Sequence, residues 1–254
     1  MRPLAVIGLI LILMACATSQ EKSDELEQSK EYIVASTNVQ LALGYLQQGR
    51  LEEAVVKLKK ALAAYPDYRD AHITIALVYD HLGKSDLAEK YYLSSIDLDP
   101  DNGSVYNNYG VFLCSHNKVK AAIANFMQAI ETPRYPTPGR AYENAGSCAM
   151  KIPDVELAET YMRKALSINK KLPLALYTMA EISHKQKHYL STRAYLQRYE
   201  EVGKYTSESL WLGVITERAL GNKEAQERYS KLLQTKFPDS LEYKNLLDKS
   251  WGGT

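Results

Sequence analysis

An excess of charge of either sign is missing from this chain: across 254 residues, 31 Lys and Arg face 30 Asp and Glu. Such a balance supplies no field to hold a polyphosphate, so a nucleic-acid partner is not indicated. A long apolar run is missing as well. The stretch from Leu4 to Ala15, behind the single charge of Arg2, falls short of the roughly 20 residues that a membrane-spanning helix needs. A basic start, a short apolar core and small residues near its end describe an export signal that is removed, with the cut near Ala15. Catalytic signatures are absent too: there is no glycine-rich phosphate loop, no strand-turn-helix serine elbow and no HExxH pair. No enzymatic activity and no cofactor are expected. Phenylalanine and tryptophan are scarce, three and two against nineteen tyrosines. Tyrosine suits positions half in a core and half in water, and a repeat with a regular tyrosine slot would account for the tilt.

The end of the apolar run reads Leu13-Met14-Ala15-Cys16. It resembles the bacterial lipobox, although Met14 is less usual at its place. The resemblance implies that Cys16 is diacylated, that the chain is cut just before it, and that the new amino group takes a third acyl chain. Each acyl CH₂ contributes about 0.8 kcal/mol, and two or three chains make a stable anchor. Ala17 follows where an aspartate would favour inner-membrane retention, so the implied location is the periplasmic face of the outer membrane. A plain secretory signal with an incidental cysteine is the alternative. Residues 16–34 are polar and charged and are expected to form an acylated flexible tether.

Beyond that tether the chain repeats itself. LALGYLQQGRLEEAVVKLKKALAAYP (41–66) aligns without a gap on IALVYDHLGKSDLAEKYYLSSIDLDP (75–100). The alignment sets Leu41 over Ile75, Ala42 over Ala76, Gly49 over Gly83, Ala54 over Ala88, Leu58 over Tyr92 and Pro66 over Pro100, a period of 34. Period and positions resemble the tetratricopeptide repeat. In that frame repeats start near Ala35, Arg69, Gly103, Gly139, Pro173 and Thr206, the last two being degenerate. Thr192 stands at an expected alanine and Pro238 is displaced by one. The expected architecture is an all-α superhelix of about six helical hairpins over 35–238. Small residues on one helix admit larger ones from its partner. Proline closes the second helix. TPRYPTPGR (132–140) reads as a bulged connection, and 239–254 as a capping helix and tail.

The same frame places the candidate sites. Glu181, His184 and His188 share helical spacing that would suit zinc, but on the polar face of a degenerate repeat a solvated reading is the stronger, and no metal site is expected. Asp97, Asp99 and Asp101, around Pro100 in LDPDN (98–102), read as a turn. Cys114 and Cys148 fall on adjacent first helices at similar heights, within reach of a disulfide in an oxidising compartment; two small buried thiols are the alternative. The concave positions of the family, carried over, are Val39, Leu43, Leu46, Ile73 and Leu77 in repeats one and two, followed by Asn107, Val111, Cys114, Glu143, Ser147 and Met150. The first five describe an apolar groove fit for an amphipathic helix; cover by the tether or a cap helix is the alternative. Val39 and Leu43 stand where carboxylate-clamp domains use lysine and asparagine.

The segment YNNYGVFLC…AIANFMQAI…RYPTPGRAYENAGSCAMK (106–151), with its two cysteines and proline-rich connection, together with the lipobox and the repeats, resembles the PilF/PilW family of type IV pilus pilotins from Cys16 to about Pro238. The resemblance implies binding of a PilQ-like secretin, promotion of its outer-membrane localisation and multimerisation, and delivery by the lipoprotein sorting machinery to outer-membrane lipid. A general periplasmic adaptor, for peptidoglycan enzymes or outer-membrane protein assembly, is the competing reading.

Overall fold

The structure, a computed structural model, describes residues 29–133 and 135–248; the signal segment, Cys16 and Trp251 lie outside the described residues. Among these there are thirteen helices and no strand. They fall into two compact units, the first ending at Phe112 and the second beginning at Leu113.

The first unit holds α1 (Lys30–Gln47), α2 (Leu51–Ala64), α3 (Arg69–His81), α4 (Ser85–Leu98) and most of α5 (Gly103–Ser115). α1 pairs with α2 and α3 with α4, while α3 also packs on both α1 and α2. The helix thus begins five residues before the expected repeat start, so 30–34 belong to the fold and not to the tether. Two contacts explain this. The Ser29 hydroxyl caps the helix by accepting from the Tyr32 amide at 3.1 Å, and the Tyr32 ring sits edge-on to Tyr65 and Tyr68 at 6.2 and 5.2 Å.

The second unit continues with α6 (Val119–Glu131), α7 (Pro138–Ala149), α8 (Val155–Ile168), α9 (Pro173–Lys185), α10 (Tyr189–Val202), α11 (Ser207–Ala219), α12 (Lys223–Lys236) and the short α13 (Leu241–Leu247). The pairs α7/α8, α9/α10 and α11/α12 are hairpins, and α7, α9 and α11 stack in succession. α13 packs on α11 and α12, where the capping helix was expected. Pro238 follows the end of α12 by the same two residues as Pro66 follows α2 and Pro100 follows α4. Its displacement in sequence is therefore absent in structure.

A small residue recurs on each first helix at 42, 76, 110, 146, 180 and 213, and a large one sixteen residues later at 58, 92, 126, 162, 196 and 229. All twelve are buried. Where a glycine holds the first place, its purpose is space: a Cβ on Gly213 would lie 2.7 Å from the Tyr229 ring. Thr192, the apparent exception among the alanines, is fully buried, and its hydroxyl donates to the His188 carbonyl at 3.2 Å. No polar group is stranded there.

In five of the six hairpins the turn between the two helices holds a left-handed residue; the α7/α8 turn has none. Gly49, Gly83 and Gly221 supply it with φ near 70°, while Asn117 and Lys187 adopt it at 60° and 62°. Asparagine visits this region readily; lysine does so against a steric cost. The regular tyrosine slot does not appear. Tyr45 and Tyr79 share one position, but Leu113 and Ala149 follow them. The tyrosines instead face each other across hairpins, Tyr79 on Tyr91 at 5.7 Å, Tyr142 on Tyr161 at 6.2 Å and Tyr177 on Tyr199 at 5.8 Å.

These two roles of glycine separate in urea unfolding. Lys187→Gly is expected to raise stability by about 1 kcal/mol by relieving the left-handed strain. Gly213→Ala is expected to lower it by about 1–3 kcal/mol through overpacking against Tyr229.

Candidate binding groove

In the first unit a depression of about 340 Å³ is lined by Val39 and Leu43 from α1, Arg69, Asp70, Ile73 and Thr74 from α3, and Asn102, Ser104 and Asn108 at and beyond the start of α5. Val39, Leu43 and Ile73 are brought together. Leu46 and Leu77 are half-buried on the same two helices and stand outside the lining. Val39 is only 3% exposed, so it forms floor, whereas Leu43 and Ile73 are half-buried walls. The apolar surface is thus one side of the depression and a polar side faces it.

That polar side is fixed by an ion pair. Arg69 donates from Nε to Asp70 Oδ1 at 2.9 Å and from Nη1 to Asp99 Oδ2 at 2.6 Å. The Asn102 side chain donates to the same Asp99 oxygen at 3.1 Å, and its Oδ1 accepts from the Ser104 amide at 3.0 Å. Burial works against the Arg69 charge, but the bonds to Asp99 and Asp70 outweigh it and hold the guanidinium above its ordinary pKa. The Thr74 hydroxyl donates to the Asp70 carbonyl at 2.6 Å. LDPDN is therefore a turn whose Asp99 and Asn102 also anchor the rim of the depression.

Cys114, Cys148, Glu143 and the trio of Glu181, His184 and His188 lie in the second unit. Cys114 on α5 and Cys148 on α7 are joined by a disulfide with Cα atoms 5.8 Å apart, linking residues one repeat apart in sequence. Lys151 Nζ donates to the Cys114 carbonyl at 2.7 Å. Glu143 is buried and accepts from the Ala175 amide at 2.9 Å, capping the first turn of α9 from the preceding hairpin. Glu181, His184 and His188 are not gathered. His184 Nδ1 is 3.0 Å from the Thr216 hydroxyl, with burial lowering its pKa. His188 follows the end of α9 beyond left-handed Lys187 and stands exposed. Glu181 accepts from Tyr177, and burial raises its pKa. Among the described residues no group of three acids, histidines or cysteines could hold a metal ion, and no helix is long and apolar enough to cross a membrane.

Models of the tetratricopeptide repeat match residues 39–103, 91–131 and 139–172. The type IV pilus assembly protein PilF of Pseudomonas aeruginosa is 30% identical over 240 residues, spanning 94% of this chain and 95% of its own. The chain belongs to the PilF/PilW family of type IV pilus proteins. Its backbone agrees: the solved structure of Pseudomonas aeruginosa PilF superposes with a TM-score of 0.77 at 30% identity, over 86% of this chain and 99% of that one. The crystal structure of PilW, a widely conserved type IV pilus biogenesis factor, gives 0.74 at 30%, over 85% and 99%.

In this PilF/PilW member the period of 34 misplaced one lining residue. Carrying Val39 and Ile73 forward by one repeat gives Asn107, which is buried; Asn108 lines the depression instead. Arg69 and Asp70 were legible only as the start of a repeat. An arginine at a helix start, one repeat before an acid-rich turn, was the available signal for the pair.

Glu143 makes a pH dependence calculable in sign. Burial holds its carboxyl above the ordinary carboxylate range, despite the bond from Ala175, the charge of Arg140 and the bond from Leu174. A carboxyl raised on folding contributes stability that is full below its unfolded value and is lost as pH rises through the folded one. Glu143→Gln keeps an acceptor for Ala175 and removes the buried charge. Its stability, followed by urea unfolding between about pH 4 and 7, is expected to fall less with rising pH than that of the parent.

Proposed function

We propose that this protein is an outer-membrane lipoprotein pilotin: it binds the type IV pilus secretin and promotes the secretin's outer-membrane localisation and multimerisation. The observation that carries the reading is similarity to a type IV pilus assembly protein along almost the whole of both chains. The depression in repeats one and two supports a partner-binding role. Its apolar side, Leu43 and Ile73 over Val39, suits an apolar ridge of a partner segment, and its ion-paired side fixes the segment's orientation. The Cys16 anchor, delivered by lipoprotein sorting, holds the protein at outer-membrane lipid, and the following residues set its reach. Nothing in this role requires catalysis.

The test is the amount of SDS-resistant secretin multimer in outer-membrane fractions. Cells lacking the protein are expected to lose multimers, wild type to restore them, and Cys16→Ala to leave them mislocalised. Leu43→Asp and Ile73→Asp place a charge against the apolar wall and are expected to weaken secretin binding about tenfold or more with helicity intact. Unchanged, correctly located multimers in the deletion would refute the pilotin role. Equal binding by folded variants would remove the depression from it.

A further inference from the structure

Hydrogen bonding inside the depression is uneven. Arg69, Asp70, Thr74 and Asn102 spend their polar atoms on one another and on Asp99. Two lining side chains do not: the Ser104 hydroxyl and the Asn108 amide bond to no group among the described residues. Both residues are half-buried. They stand four apart on α5, so one lies above the other on a single face of that helix. Asn108 thus offers a donor and an acceptor side by side, and Ser104 a hydroxyl one turn away, in the same depression as the apolar wall of Leu43 and Ile73.

An occupant that covers these groups has to pair with them, because a polar group taken from water without a partner weakens the contact. The interior of an α-helix has already spent its N–H and C=O groups on itself. An extended chain carries a free N–H and a free C=O at every residue, which is what a primary amide can take both of at once. We infer that the depression receives an extended peptide segment of a partner protein, in place of the amphipathic helix that the apolar positions alone suggest. One residue of the segment exchanges its backbone N–H and C=O with the Asn108 amide, and Ser104 donates to a further carbonyl. Side chains two residues apart project on the same side of an extended chain and lie on Leu43 and Ile73. Main-chain bonds then supply affinity and the alternate side chains supply choice of sequence. The inference rests on the partner-binding reading of the depression and adds the conformation that it recognises. Residues 16–28 of the chain itself do not fit, since Leu26 is their only large apolar side chain.

The test is selection of dodecapeptides from a random phage-displayed library on the immobilised full-length lipoprotein in detergent, followed by fluorescence titration of the selected peptide. Selected sequences are expected to share apolar residues at i and i+2. Asn108→Ala breaks no bond within the chain and is expected to weaken the peptide roughly tenfold with helicity intact; Ile73→Asp is expected to weaken it at least as much. N-methylation of each peptide residue in turn removes one N–H at a time. At one residue it is expected to weaken binding to the wild type roughly tenfold and to leave binding to Asn108→Ala unchanged, a coupling that an asparagine with a merely structural role would not show. Selected sequences with apolar residues at i, i+3 and i+4, no selection above the bare support, or affinity insensitive to Asn108→Ala would overturn the extended mode. Purified secretin added as a competitor checks the pilotin reading separately: displacement of the peptide supports both, and failure to displace it removes the secretin as the partner while the coupling to Asn108 still upholds the extended mode.

Discussion

The approach of a large side chain from one helix onto a small residue of its partner, sixteen positions earlier in the chain, is the interaction on which the rest depends. Gly213 admits Tyr229 and Gly146 admits Met162 at distances that leave no room for a Cβ without movement; Ala180 and Leu196 share one cluster. Each buried large residue contributes about 1.5–3 kcal/mol, but only with the hairpin closed and its outer face covered by a neighbour. Stability and shape therefore have the same source. The depression in repeats one and two exists because α1 and α3 are held side by side at the distance this packing sets, leaving Leu43 and Ile73 beside it.

The same constraint distributes the polar groups. Buried ions occur where hairpins meet and are satisfied there. Glu143 caps the start of α9, and Glu217 takes both ends of the Arg193 guanidinium, with Nε at 2.8 Å. Within one hairpin, half-buried Asp99 likewise joins the end of α4 to the start of α3 through Arg69 at the rim of the groove. The ion-paired rim and the apolar wall are thus products of one geometry. A partner segment meets a surface already ordered by folding, so less is lost on binding.

Most of the architecture was legible because it rests on residue size at fixed intervals, which sequence displays directly. Ala42, Ala76 and Leu58 mark the pattern, and Pro66 and Pro100 mark the helix ends. What was not legible depends on conformation or on neighbours distant in sequence. Asn117 and Lys187 hold the left-handed turn without a glycine to advertise it. The start of α1 at Lys30 depends on a serine cap and on a ring contact with Tyr65 and Tyr68, neither visible as periodicity. The tyrosines follow no slot because their partners lie across hairpins. Asn108 lines the groove in place of Asn107 because a period fixes a helix face only to within a residue. Leu46 and Leu77 share the helix faces of Leu43 and Ile73 but lie one turn further along, outside the lining.

The central claim is that the apolar wall of repeats one and two holds the secretin. It is tested most directly by replacing Ile73 with a photo-cross-linking residue in living cells and identifying what it captures. The account predicts a secretin adduct from Ile73 and none from exposed Val56 on α2. Capture of the secretin from Val56 with none from Ile73, or capture of it from neither while pili assemble normally, would contradict it.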